Sequence, residues 1–443
     1  MAQTVGGMDA DAKPTWTYLP ACLGQLPPDG RRIEGTIRRV IEKLLSARLY
    51  RRQGFEPHCC ENFCLCGKNL FATEAPENGN KLGIMRRQNT AFKAYAVLMA
   101  LNILASRPMN RWQDDLADLI RTPKELFALL ELDADDRSNV WEACRRLSSP
   151  SNSSQPFPLR VPRAFAAKMR KGDFDDPLLR QVLPLGDELR VTPGYSADPL
   201  EEASTNPHPG LIHKYASRVL LVISGSCAIH CRYCFRRHFP YQQNRPGRDQ
   251  WQPALDYIAA TPALNEVIYS GGDPLSAPDR QLAWLTRQIS QIPHIKRLRI
   301  HTRLPVVLPN RIDDTCLAWL ADTPLQKVMV LHCNHGNEID ADTSAMVARL
   351  RQAGTTVLNQ TVLLKGVNDN VDALATLSEK LFDAGVLPYY LHLLDKVAGA
   401  EHFDTSESEA KTLYHKLLSR LPGFLVPRLV KEIPHAASKL PLI

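Results

Sequence analysis

Cys227, Cys231 and Cys234 stand at the spacing C-x3-C-x2-C within Ser226-Cys227-Ala228-Ile229-His230-Cys231-Arg232-Tyr233-Cys234-Phe235-Arg236-Arg237-His238. No fourth cysteine lies nearby. Three thiolates in one short loop can hold three irons of a 4Fe–4S cluster and leave the fourth iron open to another ligand. Tyr233, one residue before the last cysteine, adds an aromatic ring to the loop. Read instead as a zinc knuckle, the trio lacks its fourth ligand, which a second C-x2-C or a His pair would normally supply.

Chemistry of this kind needs a scaffold that gathers distant side chains. From Arg218 onward, short apolar, β-rich runs appear at 219–223, 267–269, 298–301, 328–332, 356–359 and 389–393. Helical patterns lie between them, around 253–260, 279–291, 312–321, 341–353 and 371–384, with one more at 407–420. This alternation predicts a parallel sheet covered by helices. The run Val328-Met329-Val330-Leu331 fits burial on both faces. Six units are too few to close an eight-stranded barrel. The expected fold is therefore α/β, a partial (β/α)6 TIM-like barrel with a helical N-terminal segment.

In such barrels function gathers just beyond the C-terminal ends of the strands. The cysteine loop follows the first run and Ser270-Gly271-Gly272-Asp273-Pro274 the second. His301-Thr302-Arg303, His332-Cys333-Asn334-His335, Asn359-Gln360 and His392 with Asp395 follow the others. The glycines suggest a close backbone approach to a ligand, and Asp273 offers a carboxylate to an ammonium group. Six polar strand ends in register with a cysteine loop point to one shared site.

The region before the barrel reads differently. Residues 109–210 are helical and irregular, with Trp112, Leu116, Leu119 and Ile120 on one short helix. Leu126, Leu129 and Leu130 mark a second that begins at Pro123. A helix over 163–169, a turn into a helix at 175–179 and a Ser/Pro/Asn linker at 149–158 complete it. Residues 1–30 are rich in Pro, Gly and small side chains, and 35–52 reads as a basic amphipathic helix. His58, Cys59, Cys60, Cys64 and Cys66 are soft ligands at a spacing that matches no metal signature. The texture changes at Met109, so we expect the native chain to start there and 1–108 to be a disordered or extraneous addition.

Composition narrows the class. A 443-residue chain with 44% hydrophobic and 23% charged residues is that of an ordinary globular protein. The net charge of +7 is uneven: residues 1–108 hold 15 Lys+Arg against 9 Asp+Glu, the rest 39 against 38. The barrel thus gives no sign of a nucleic-acid or membrane partner. Eleven cysteines without a signal-peptide pattern point to the reducing cytoplasm and to metal chemistry rather than disulfides.

The strings from the cysteine loop through Ser270-Gly271-Gly272-Asp273-Pro274, Asn359-Gln360 and Lys365-Gly366-Val367-Asn368-Asp369 to Pro388-Tyr389-Tyr390 resemble the lysine 2,3-aminomutase family of radical S-adenosylmethionine (SAM) enzymes. Within it they are most similar to the subgroup that makes (R)-β-lysine for elongation factor P. The likeness spans about 109–443 and includes Leu159-Arg160-Val161-Pro162-Arg163 and Asp176-Pro177-Leu178-Leu179-Arg180-Gln181-Val182. It implies a cluster on Cys227, Cys231 and Cys234, SAM on the open iron, and pyridoxal phosphate (PLP) as second cofactor. The Schiff-base lysine maps onto Lys439, seven residues after Glu432. The phosphate cations map onto Lys214 and Arg218, with Tyr215 beside the cofactor. The family prefers arginine at the first of these, and lysine lacks its bidentate fork. Tyr233, Gly271, Gly272, Asp273, Asn334 and Gln360 map onto cofactor contacts. Arg236 maps onto the residue that binds the substrate carboxylate, and Asp395 with Glu432 onto those that bind its ε-ammonium, whereas Arg237 reads as structural. The second acid is usually Asp in the family.

The implied boundaries are 109–210 for the helical region, 211–425 for the barrel and 426–443 for the segment carrying Lys439. The implied reaction uses a 5′-deoxyadenosyl radical to take a hydrogen from the β-carbon of L-lysine. The amino group moves from C2 to C3, and Lys439 releases the product. Implied partners are elongation factor P, its lysyl ligase and an external electron donor. No cysteine follows Cys333, so no C-terminal structural zinc is expected. The stretch Pro434-His435-Ala436-Ala437-Ser438 replaces the family's glycine-rich approach to the lysine. Two other readings stand beside this one: a catabolic or other amino-acid 2,3-aminomutase, and a non-catalytic iron–sulfur or zinc protein without PLP or SAM turnover.

Overall fold

Short runs of β-branched and leucine side chains form the centre of the protein. The computed structural model describes residues 112–133, 138–148, 157–241, 244 and 251–443. The expectations for 1–108, including the 35–52 helix and Cys59, Cys60, Cys64 and Cys66, lie outside these residues. So do 149–156 of the expected linker. One nine-stranded sheet pairs its strands in chain order. The edge strand β1 (Leu211–Tyr215) runs antiparallel to β2 (Arg218–Ser224). From β2 the strands are parallel through β3 (Glu266–Gly271), β4 (Arg297–Thr302), β5 (Gln326–His332), β6 (Thr356–Val362), β7 (Leu387–His392) and β8 (Arg428–Lys431). β9 (Leu440–Pro441) closes the order, antiparallel to β8.

The parallel strands therefore number seven rather than the expected six. In β8 only Leu429 and Val430 are buried, and charged Arg428 and Lys431 flank them, which hides a strand from a search for apolar runs. β8 and β9 also join the C-terminal segment to the sheet. Lys431 pairs with Leu440, so Glu432 and Lys439 sit at the two ends of the connection between these strands.

Among the described residues three helices of six residues or more precede the sheet, α1 (Trp112–Ala117), α2 (Pro123–Leu130) and α3 (Ser138–Ser148). Two single-turn α-helices follow them at Arg163–Ala166 and Pro177–Arg180, where the sequence predicts a longer helix over 163–169 and a turn into a helix at 175–179. Thr122 caps α2 through its hydroxyl, with Pro123 in the first turn. α3 was not legible beforehand. Among the described residues six helices of eight residues or more follow the strands, α4 (Gln252–Ala259), α5 (Asp279–Ser290), α6 (Asp314–Asp322), α7 (Ala341–Gln352), α8 (Val371–Asp383) and α9 (Glu407–Arg420), with a single α-helical turn at Leu304–Val307 after β4. Four of the six start at a side chain that accepts the N–H three residues on. Asp313, Asp340, Asn370 and Ser406 do this for α6, α7, α8 and α9. Leu282, Leu285 and Ile289 on α5 show the spacing that lays one face on the sheet. Each such side chain contributes about 1.5–3 kcal/mol on burial. Among the described residues no helix is long and apolar enough to cross a membrane.

The end of β3 is fitted against the cysteine loop. The Gly272 N–H donates to Ser224 O at 2.6 Å, and the Asp273 N–H to Ser226 O at 2.9 Å. Gly271 has φ +120°, and a Cβ there would lie 2.6 Å from Ser224 O. A Cβ at Gly272 would lie 2.8 Å from Ser226 O. The close approach read from these glycines is therefore to the backbone of the cysteine loop. Gly272→Ala should destabilise the protein by about 1–3 kcal/mol, the usual cost of overpacking. Urea denaturation checks this against Gly423→Ala, where nothing lies within 4 Å of the added Cβ.

Candidate active site

A cavity of about 740 Å³ opens at the C-terminal ends of the parallel strands. Its wall includes Cys227, Cys231 and Cys234 from the loop after β2, and Lys439 from the connection between β8 and β9. Lys214, Tyr215, Arg218, Arg236, Asp395 and Glu432 line it too, as do Tyr233, Gly271, Gly272, Asp273, Asn334 and Gln360. The structure thus brings every site residue read from the sequence to one place.

A buried ion triad backs the cysteine loop. Arg232 donates from Nε to Glu188 at 2.9 and 3.1 Å, and Arg237 Nη2 meets the same carboxylate at 2.6 Å. Both guanidiniums lie over the Phe157 ring, at 4.7 and 4.9 Å. Arg237 thus braces the loop through Glu188 and Gly399 O. Burial pushes the Cys227 thiol well up, with Asp273, Cys234 and Cys231 adding to it. Burial and then Cys231 push Cys234 up to about 11. Metal binding must therefore displace protons from these thiols. Among the described residues no three His, Cys, Asp or Glu converge as a single-ion site. Three separate thiols on a cavity wall suit a polynuclear cluster that takes one sulfur per iron.

A chain of alternating charge runs beside the thiols. Arg236 donates from Nε and Nη2 to Glu202 at 2.7 and 2.8 Å. Lys214 Nζ lies 3.1 Å from Glu202 and 3.3 Å from Glu432. Glu432 also accepts from Tyr215 OH at 3.1 Å and is paired with Lys439. Burial opposes ionisation of Glu432, but Lys439 and Lys214 overcome it and hold its carboxyl well below the usual range. Asp395 goes the other way: burial, then repulsion by Glu432, raises it to about 7. Arg218 stacks over Tyr215 at 4.2 Å. Tyr389 and Tyr390, with ring centroids 3.8 Å apart, add aromatic wall. Cations around aromatic rings, with a lysine among them, fit a flat cofactor bearing a phosphate.

Some polar groups in the wall are mostly used inside the protein, and this bears on two expected cofactor contacts. Asp273 accepts from Thr302 Oγ1 at 2.7 Å and from the N–H groups of Leu275, Arg303 and Leu304 at 3.1, 2.8 and 2.9 Å. It braces the ends of β3 and β4 and has no capacity left for an ammonium group. Asn334 donates to Gln181 Oε1 at 3.0 Å and to Tyr233 OH at 2.7 Å, and accepts from Val362 N–H at 2.9 Å. It orients Tyr233.

Other groups have no internal partner. Nε2 of His301, His332 and His392 and Oε1 of Gln360 are buried and unpaired, and all four residues line the cavity. Burial keeps the imidazoles neutral, His332 at about 4. Arg303 bonds Gln181 and Glu338 through Nη2, while its Nε and Nη1 stay unpaired. Buried unpaired groups facing a cavity fit a polar, partly anionic ligand such as SAM. The strand-end rule had marked these residues. Nothing in the sequence marked Glu202, or Arg299 in the β4 wall, which pairs with Glu266 at 2.9 Å.

Residues 221–377 match the model of the Radical SAM superfamily. The L-lysine 2,3-aminomutase of Escherichia coli K12 is 51% identical over 331 residues, 75% of this chain and 94% of that protein. That of Haemophilus influenzae is 49% identical, covering 76% and 98%. That of Clostridium subterminale is 32% identical, covering 75% and 78%. With the thiol trio, the charge chain and the lysine in one cavity, these likenesses place the chain in the lysine 2,3-aminomutase family of radical SAM isomerases, whose cofactors include a 4Fe–4S cluster and SAM.

Proposed function

We propose that the protein converts L-lysine to (R)-β-lysine with a 4Fe–4S cluster, SAM and PLP, and that the product serves the modification of elongation factor P. The observation that carries this reading is the meeting of Cys227, Cys231 and Cys234 with the Lys439–Glu432–Lys214 charges in one cavity. When bound, the cluster and SAM supply a carbon radical, and PLP supplies a carrier for the migrating amino group.

The chain's own residues bind, orient and exclude water. Lys439 presents the amine that holds and releases PLP, and Glu432 fixes its place. Lys214 and Arg218 hold the phosphate. Arg236 faces the substrate carboxylate with the one N–H that Glu202, Ser270 and Gly271 leave free. Asp395 and Glu432 receive the ε-ammonium; two acids there disfavour an acidic substrate. The unpaired histidines and Gln360 hydrogen-bond SAM. Burial of the wall keeps water from the radical. The electrons come from an external donor, and the product passes to a lysyl ligase acting on elongation factor P in the cytoplasm. The strings similar to that subgroup support this last step.

Anaerobic incubation with SAM, PLP, a reductant and L-lysine should yield β-lysine, identified by chiral chromatography; failure of reconstituted protein to form it would sink the reading. A pH dependence follows from Asp395. A cation binds its ionised form, so KM for L-lysine should fall several-fold as pH rises from 6 to 8 through its value of about 7. Asp395→Asn should raise KM and flatten that profile. An equally steep profile in the variant would contradict the assignment.

A further inference from the structure

Glu202 is a carboxylate only 3% exposed, in the cavity wall but on no strand of the barrel. It lies in the one-turn helix Glu202–Thr205, before β1, and its N–H donates to Asp198 Oδ1 at 3.1 Å. A charge buried so deeply is costly unless paired. Here both oxygens are paired, and with two cations from different elements. Arg236 belongs to the cysteine loop and Lys214 to β1. Burial opposes ionisation of Glu202, but Arg236 and then Lys214 hold its carboxyl below the usual range.

We propose that Glu202 is a positioning residue that locks Arg236 and Lys214 together, so that substrate-carboxylate recognition and PLP-phosphate binding are set by one shared anion. This rests on the function proposed above. Donor counting supports it. An arginine has five N–H donors and a lysine three. Arg236 uses two on Glu202 and two more on Ser270 Oγ at 3.0 Å and Gly271 O at 3.4 Å. Lys214 uses one on Glu202 and one on Glu432. Each cation thus keeps a single donor for a ligand, in a direction fixed by the anion between them. The same turn also reaches the segment that carries Lys439: Glu201, in the left-handed region at φ 50°, holds His435 Nε2 at 2.8 Å.

Glu202→Gln keeps the shape and removes the charge. In the cluster-loaded protein it should raise the Kd for PLP, read by absorbance titration, and the KM for L-lysine. Each should rise about tenfold or more, the loss of one charge-assisted hydrogen bond, while kcat falls less. Glu202→Asp, one methylene short, should shift both constants in the same direction by less, and serves alone if the glutamine variant does not fold. A folded variant with both constants unchanged would overturn the proposal. So would a KM that falls, since the carboxylate would then only compete with substrate. If the wild type binds PLP and makes β-lysine while the variants match it, this inference alone fails. A wild type that does neither removes the functional reading as well.

Discussion

Arg236, Glu202, Lys214, Glu432 and Lys439 form a line of alternating charge in the cavity wall, each joined to the next by an ion pair. Ions taken from water into such a place cost several kcal/mol apiece unless opposite charges and hydrogen bonds replace the lost solvent. Only Glu432 and Lys439 come from the same segment of the chain. Glu202 comes from a turn before the sheet, Lys214 from an edge strand, Arg236 from the cysteine loop, and Glu432 and Lys439 from the two ends of a connection beside β8. The line is satisfied only when all these parts are assembled, so folding and site formation are one event. It also brings the lysine that would carry PLP near the loop that would carry the cluster.

The rest of the wall divides by whether its polar groups are already used. Asp273 is saturated by protein donors, Asn334 spends both its N–H donors on protein acceptors, and both act as braces between strand ends. The Arg232–Glu188–Arg237 triad does the same behind the cysteines. His301, His332, His392, Gln360 and Arg303 are buried with atoms unpaired. An unpaired buried group costs about 1–3 kcal/mol, and a ligand that pairs with it recovers that. The saturated groups hold the shape of the cavity, and the unsatisfied ones define what it accepts.

Much of this was legible in the sequence, for local reasons. Six parallel strands and the helices between them follow from apolar runs and their period. The cysteine loop follows from spacing within eight residues, 227–234. Lys439 and Glu432 became visible only through resemblance, because a lysine seven residues after an acid carries no pattern of its own. Glu202 was invisible in the run Asp198-Pro199-Leu200-Glu201-Glu202, which reads as a solvated loop. Its partner Arg236 is 34 residues away, and ion pairs across that distance leave no period behind. The strand β8 was hidden by its own charged ends. Asp273 looked like a ligand because three of its four donors come from residues that only the folded sheet places around it.

The central claim is that this charge chain delivers Lys439, and no other lysine, as the amine that holds PLP. Borohydride reduction of the PLP-loaded protein, followed by peptide mass mapping, tests it most directly. The account predicts a pyridoxyl-phosphate mass on Lys439 and none on Lys214. A label on Lys214, or on a lysine outside the cavity while Lys439 stays unmodified, would contradict it.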